Sequence, residues 1–233
     1  MSSISAGTAA GTALVSTGDT TGTLQLQVNG TTPSITLAAN GSIGVGSTPG
    51  YGTSGQVLTS AGTGSAPTWA TVSSGFTLGT PVVTTSGTII SFTGIPSGVK
   101  QVVVTFKNVS SNSTGALSIQ LGTSAGITTS GYNSSALGLP GSGTPSVDGS
   151  STLFVLTGDK PASNLIWGSV TLTLENSTNN TWVSSGLLLC DGAVNIRTNM
   201  SGGYVALSGV LTQLRIQSLG DTFDSGEINI AYI

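Results

Sequence analysis

Ser169-Val170-Thr171-Leu172-Thr173-Leu174 is the stretch that decides the fold class. Aliphatic residues take every second position and hydroxyl residues fill the gaps. That two-residue period puts Val170, Leu172 and Leu174 on one face of an extended chain. The pattern recurs on both sides of this stretch. Val102, Val104 and Phe106 alternate with Val103 and Thr105, and Leu214 and Ile216 alternate with Gln213, Arg215 and Gln217. Ile228, Ile230 and Tyr232 form a closing strand, and further runs lie at 87–93, 116–121, 152–156, 182–190 and 204–207. No segment sustains a 3.6-residue apolar period. Roughly eight to ten short strands with turn-rich joins predict an antiparallel β-sandwich or jelly roll over residues 75–233. Long connections are expected at 108–115, 130–150, 158–164, 175–181 and 191–203.

Residues 1–74 have a different texture, low in complexity and built from Gly, Ser, Thr and Ala. Thr23-Leu24-Gln25-Leu26-Gln27-Val28 places Leu24, Leu26 and Val28 opposite the glutamines, the signature of a half-buried strand. Asn29-Gly30 turns the chain, Ser34-Ile35-Thr36-Leu37 returns it, and Asn40-Gly41 leads into Ile43 and Val45. This predicts hairpin after hairpin. Fifteen large apolar residues between Ile4 and Val72 are too few to order that length of backbone in a lone monomer. The expectation is a β-hairpin stalk in which identical chains, wound or packed together, supply the missing contacts.

Composition narrows the chemistry. Charged residues make up 6% of the 233, histidine is absent, and Asp19 is the only charged residue among the first 99. An ordinary soluble domain is about a quarter charged. Without histidine no hydrolase triad can be assembled, and lysines and carboxylates stand at no suggestive spacing, so no enzymatic activity and no cofactor are expected. The net charge of −3 comes with five scattered cations, Lys100, Lys107, Lys160, Arg197 and Arg215, which predicts no nucleic-acid partner. No run approaches the ~20 apolar residues of a membrane span, and Met1–Gly7 lacks the basic and apolar regions of a signal peptide. Cys190, the single cysteine, lies in Leu187-Leu188-Leu189-Cys190 and reads as a buried hydrophobe.

Two sets of motifs carry a resemblance. Gly52-Thr53-Ser54-Gly55-Gln56-Val57-Leu58-Thr59-Ser60-Ala61-Gly62 with Ala66-Pro67-Thr68-Trp69 resembles a short motif of bacteriophage tail-fibre and related virion proteins. The run from Ile89 to Phe106 is similar to the opening of a C-terminal domain of phage fibres. The likeness continues through Leu121-Gly122, Gly131-Tyr132, Gly168-Ser169-Val170-Thr171-Leu172 and Trp182-Val183-Ser184-Ser185-Gly186, then Asp221 to Tyr232. It covers most of residues 52–233. Many members carry an acidic residue after the final Tyr, where this chain has Ile233. The resemblance implies a trimeric virion component, assembled in the cytoplasm of a bacterial host.

Candidate site residues are few. Tyr132, next to Asn133 in a Gly/Ser-rich stretch, is the best exposed aromatic for receptor contact, with Asp148 expected at a loop tip and Asn199 as a third polar candidate. Trp69, Trp167, Trp182, Tyr51 and Tyr204 offer aromatic faces for sugar stacking, weighed against core packing, which is favoured for Trp167 and Trp182. Asp221, Asp224 and Glu227 stand three apart. They are a weak candidate for Ca²⁺ or a carboxylate pair, and a turn in which Asp side chains cap backbone N–H groups is preferred.

The expected function is a short tail fibre. Residues 1–74 would attach to other virion proteins and form the stalk, and residues 75–233 would form a knob that adsorbs to a host surface glycan or protein. A capsid decoration protein or head fibre is the alternative. A depolymerising tailspike enzyme is disfavoured by the scarcity of Asp and Glu and the lack of a long repetitive β-helix.

Overall fold

The structure, a computed structural model, describes residues 22–28, 32–72, 75–158, 160, 162, 164–192 and 196–233. No helix occurs among them, and every named strand pairing is antiparallel. The chain divides into two compact units, Met1–Ser74 and Gly75–Ile233.

In the first unit, β1 (Leu24–Val28), β2 (Thr32–Leu37) and β3 (Ile43–Val45) form a three-stranded sheet in that order. The Asn29-Gly30 turn expected between β1 and β2 lies outside the described residues. The Asn40-Gly41 turn is well formed. Gly41 N–H donates to the Ala38 carbonyl (2.8 Å), and Ser42 N–H donates to Asn40 Oδ1 (3.1 Å). Such a side chain, reaching its own backbone two residues on, is why Asn serves at turns. A second hairpin pairs β4 (Gln56–Thr59) with β5 (Thr68–Thr71). Trp69 Nε1 donates to the Gly50 carbonyl (2.8 Å) and ties this hairpin to the segment before it.

The second unit begins with β6 (Thr77–Leu78), β7 (Val82–Val83), β8 (Ile89–Thr93), β9 (Gln101–Ser111), β10 (Leu117–Thr123) and β11 (Gly126–Ile127). It continues with β12 (Asn133–Pro140), β13 (Ser146–Ser150), β14 (Phe154–Val155), β15 (Leu165–Asn176) and β16 (Thr181–Asp191). The last three are β17 (Arg197–Ala206), β18 (Gln213–Ser218) and β19 (Phe223–Tyr232). One sheet has nine strands in the order β13-β12-β17-β16-β15-β9-β19-β6, with β7 also on β19. The other has five, β11-β10-β18-β8, with β14 also on β10. Val102, Val104, Val170 and Leu172 from the large sheet join Ile119, Leu121, Leu214 and Ile216 from the small one in a single buried cluster. Two antiparallel sheets that share one core make a sandwich-like arrangement.

Two expected connections are largely strand and a third is half strand. The 130–150 stretch folds into the β12–β13 hairpin, most of 191–203 is β17, and 108–111 extends β9. Their Gly, Ser and Asn content hides them from propensity, because β-propensity measures packing on a sheet rather than an intrinsic preference. β19 likewise starts at Phe223, five residues before Ile228, and reaches it through two register shifts, Phe223/Ser225 and Ser225/Glu227. The second shift depends on a glycine. Gly226 has φ +93°, and a Cβ there would stand 2.3 Å from the Asn108 carbonyl oxygen. Asn108 opposite is itself left-handed, with φ 54°.

Candidate interaction surfaces

The four residues expected to face a receptor separate in the structure. Tyr132 is only 4% exposed, which corrects its expected exposure. Its ring stands edge-on to Phe154, with centroids 4.9 Å apart and planes at 87°. Its hydroxyl accepts from Leu121 N–H (2.8 Å) and donates to the Thr128 carbonyl (3.1 Å). Burial pushes its phenol up to about 12. Asn199 is also corrected. It lies at 1% exposure on the inner side of β17, where neither amide atom has a partner among the described residues. Ser146, Ser184 and Ser201 Oγ are likewise buried without partners on that sheet, so Asn199 belongs to an enclosed polar strip. Asp148 sits within β13 opposite Ala136, half-buried, and not at a loop tip. Asn133 alone is exposed as expected, at the start of β12 and opposite Tyr204.

Asp221, Asp224 and Glu227 each have a separate partner. Asp221 Oδ2 accepts from Gly115 N–H, Asp224 Oδ1 accepts from Ser110 Oγ, and Glu227 pairs with Lys107 at 2.8 Å. The hydrogen bond that Lys107 donates to Glu227, aided by the carboxylate's charge, raises the Lys107 pKa. Among the described residues no three His, Cys, Asp or Glu side chains gather as a metal site would require. Lys160, which the sequence left among the scattered cations, is only 2% exposed. Its Nζ donates to Ser111 Oγ (2.8 Å) and the Ser113 carbonyl (3.1 Å), and burial lowers its pKa. Cys190 is fully buried, and burial pushes its thiol up.

What lies open instead is sheet surface. In the first unit the strand register aligns Leu24–Leu37–Ile43 and Leu26–Ile35–Val45 as two rows across β1, β2 and β3. Five of these six are 38–54% exposed, and Val45 is the only buried large apolar residue among the unit's described residues. The opposite face is covered, since Pro49 and Tyr51 crowd Gly44, and Thr36 is buried there. Beside the bare rows runs a groove of about 540 Å³ lined by Ile35, Val45, Leu58, Ala66 and Pro67, with Ser34, Gly46 and Ser47.

In the second unit the outer face of the nine-stranded sheet is open. Its middle carries a shallow hollow of about 330 Å³ formed by Ser169, Thr171, Ser185, Gly186 and Leu187. The row Thr173–Val183–Tyr204–Asn133 borders it, and Tyr204 is 51% exposed. Tyr204 was only one aromatic among several in the sequence. The signal that singles it out is phase, because Val205 beside it points into the core and so turns Tyr204 outward. These surfaces can bind by apolar contact and by hydroxyl and amide hydrogen bonds; they present no nucleophile with a base beside it. No protein-family model, no curated protein and no solved structure matches this chain.

Proposed function

We propose that this chain is a structural virion component of a bacteriophage, a short fibre that self-associates, as a homotrimer, and adsorbs to the host cell surface through its second unit. The observation that carries the reading is the bare apolar side of the β1–β2–β3 sheet. A nearly uncharged unit with one large aliphatic residue buried among its described residues gains stability when copies of itself cover Leu24, Leu26, Ile35 and Leu37. The resemblance over residues 52–233 supports the viral assignment. The outer face of the second unit around Asn133 and Tyr204 suits a receptor bound through hydroxyl and amide contacts that are individually weak and multiplied by several copies.

Light scattering on the purified chain tests the assembly, and a monomer at micromolar concentration would remove its central element. A reconstruction of the intact particle tests the location. Few copies at the tail support the fibre, whereas many copies on the capsid mean a decoration protein or head fibre. Failure of the purified chain to compete with phage for host cells would remove the adsorption role.

A further inference from the structure

The outer face of the nine-stranded sheet is chemically divided. On its β9–β19 side it carries Thr105, Asn229 and the Lys107–Glu227 ion pair. On its β12, β13, β16 and β17 side the register aligns Trp167–Leu189–Thr198–Leu139 and Ser169–Leu187–Met200–Leu137–Val147. These rows contain no ionisable side chain. Leu187 is 58% exposed, Met200 43%, Leu189 41% and Val147 72%. Strand phase explains the exposure, since Leu188 and Cys190 face the core and so turn Leu187 and Leu189 outward. Ile196, also exposed, extends the patch at the start of β17.

We infer that this apolar half-face is buried against the other copies of the homotrimer, so that the second unit holds its own self-association interface apart from the first. The inference rests on the self-association reading above. Together the rows and Ile196 open about 500 Å² of apolar side chain, at the upper end of what monomers leave exposed. That is most of the ~800 Å² that each partner buries in a standard interface. The rows carry no charge of their own, with Asp191 at their edge on β16, so they select no charged partner by complementarity and fit the like apolar faces of the other copies. The polar half of the same face, with its ion pair, marks where that interface stops. The chain also has a second bare apolar face, in its first unit, and self-association covers both with one partner.

The test is thiol accessibility in the full chain. Leu187→Cys and Met200→Cys are made singly, with Ser91→Cys as the control. Ser91 is exposed on β8, in the five-stranded sheet, and the native Cys190 is fully buried and supplies the baseline. Each protein is treated with a maleimide at a concentration where light scattering finds the oligomer. The expected result is labelling at 187 and 200 roughly tenfold or more slower than at 91, with the gap closing on dilution to monomer. An oligomer in which all three positions label alike overturns the face assignment and leaves the oligomer standing. A chain that is monomeric throughout overturns the self-association reading as well. Rapid labelling at 187 and 200 in the purified oligomer, but slow labelling in the virion, means that another virion protein covers the face and overturns the choice of a second copy.

Discussion

Tyr132→Phe separates the two roles that Tyr132 can have. The substitution removes one oxygen and keeps the ring, so the edge-on contact with Phe154 persists. What is lost is the acceptor for Leu121 N–H at 2.8 Å and the donor to the Thr128 carbonyl at 3.1 Å. Leu121 is fully buried in the middle of β10, so water cannot replace the lost acceptor. Leaving a buried backbone donor unpaired costs about 1–3 kcal/mol. For a unit of this size each kcal/mol lowers the melting temperature by about 2–4 °C. Thermal unfolding of the full chain, followed by circular dichroism and calorimetry, should therefore show Tyr132→Phe melting about 4–8 °C below the wild type for a ~2 kcal/mol loss. Tyr132→Ala, which also removes the ring, should lose about 3–5 kcal/mol. Binding to host cells at a temperature where both proteins are folded should not change. A variant that melts with the wild type would refute the burial argument. A variant that melts normally but no longer binds cells would restore Tyr132 as a surface contact.

The same burial sets a pH dependence. The phenol is neutral in both states below pH 10, and above it the unfolded chain ionises while the folded one, held up to about 12, does not. Stability should therefore be full below pH 10 and fall by about 2–3 kcal/mol as pH rises from 10 to 12; a slope unchanged in Tyr132→Phe would contradict this. Gly226→Ala should destabilise by about 1–3 kcal/mol or more, because φ +93° is strained for Ala and the new Cβ would meet the Asn108 carbonyl. Denaturant titration measures it, and a neutral result would mean that the bulge tolerates a side chain. Cys190 should stay unreactive toward a thiol reagent in the native protein and react on unfolding, since it is fully buried and its thiol is held up by that burial; fast labelling in the native state would show that the β15–β16 core opens.

Alternation made much of the core legible. Val102, Val104, Phe106, Val170, Leu172, Leu214, Ile216, Ile228 and Ile230 are all buried, as a two-residue period with one apolar face requires. The hairpin β2–β3 was marked by Asn40-Gly41, whose side chain and φ +80° glycine act locally. β12 and the first part of β17 were not legible, because Asn133-Ser134-Ser135 and Met200-Ser201-Gly202-Gly203 carry no strand signal until neighbours pair with them, whereas the end of β17 falls in the 204–207 run. The same holds for the candidate surfaces. A sequence shows that Leu187 and Leu188 lie on opposite sides of a strand but not which side another sheet will cover.

By itself, then, the sequence determined that this protein is built of strands, with a core of alternating aliphatic residues and no histidine-based chemistry. Period and composition are properties of the chain. Only the tertiary structure decided that Tyr132 and Asn199 point inward while Tyr204, Leu187 and Met200 point out. Side-chain exposure depends on partners far away in the chain, such as Phe154 against Tyr132 and β18 against β10, and no local pattern encodes those distances.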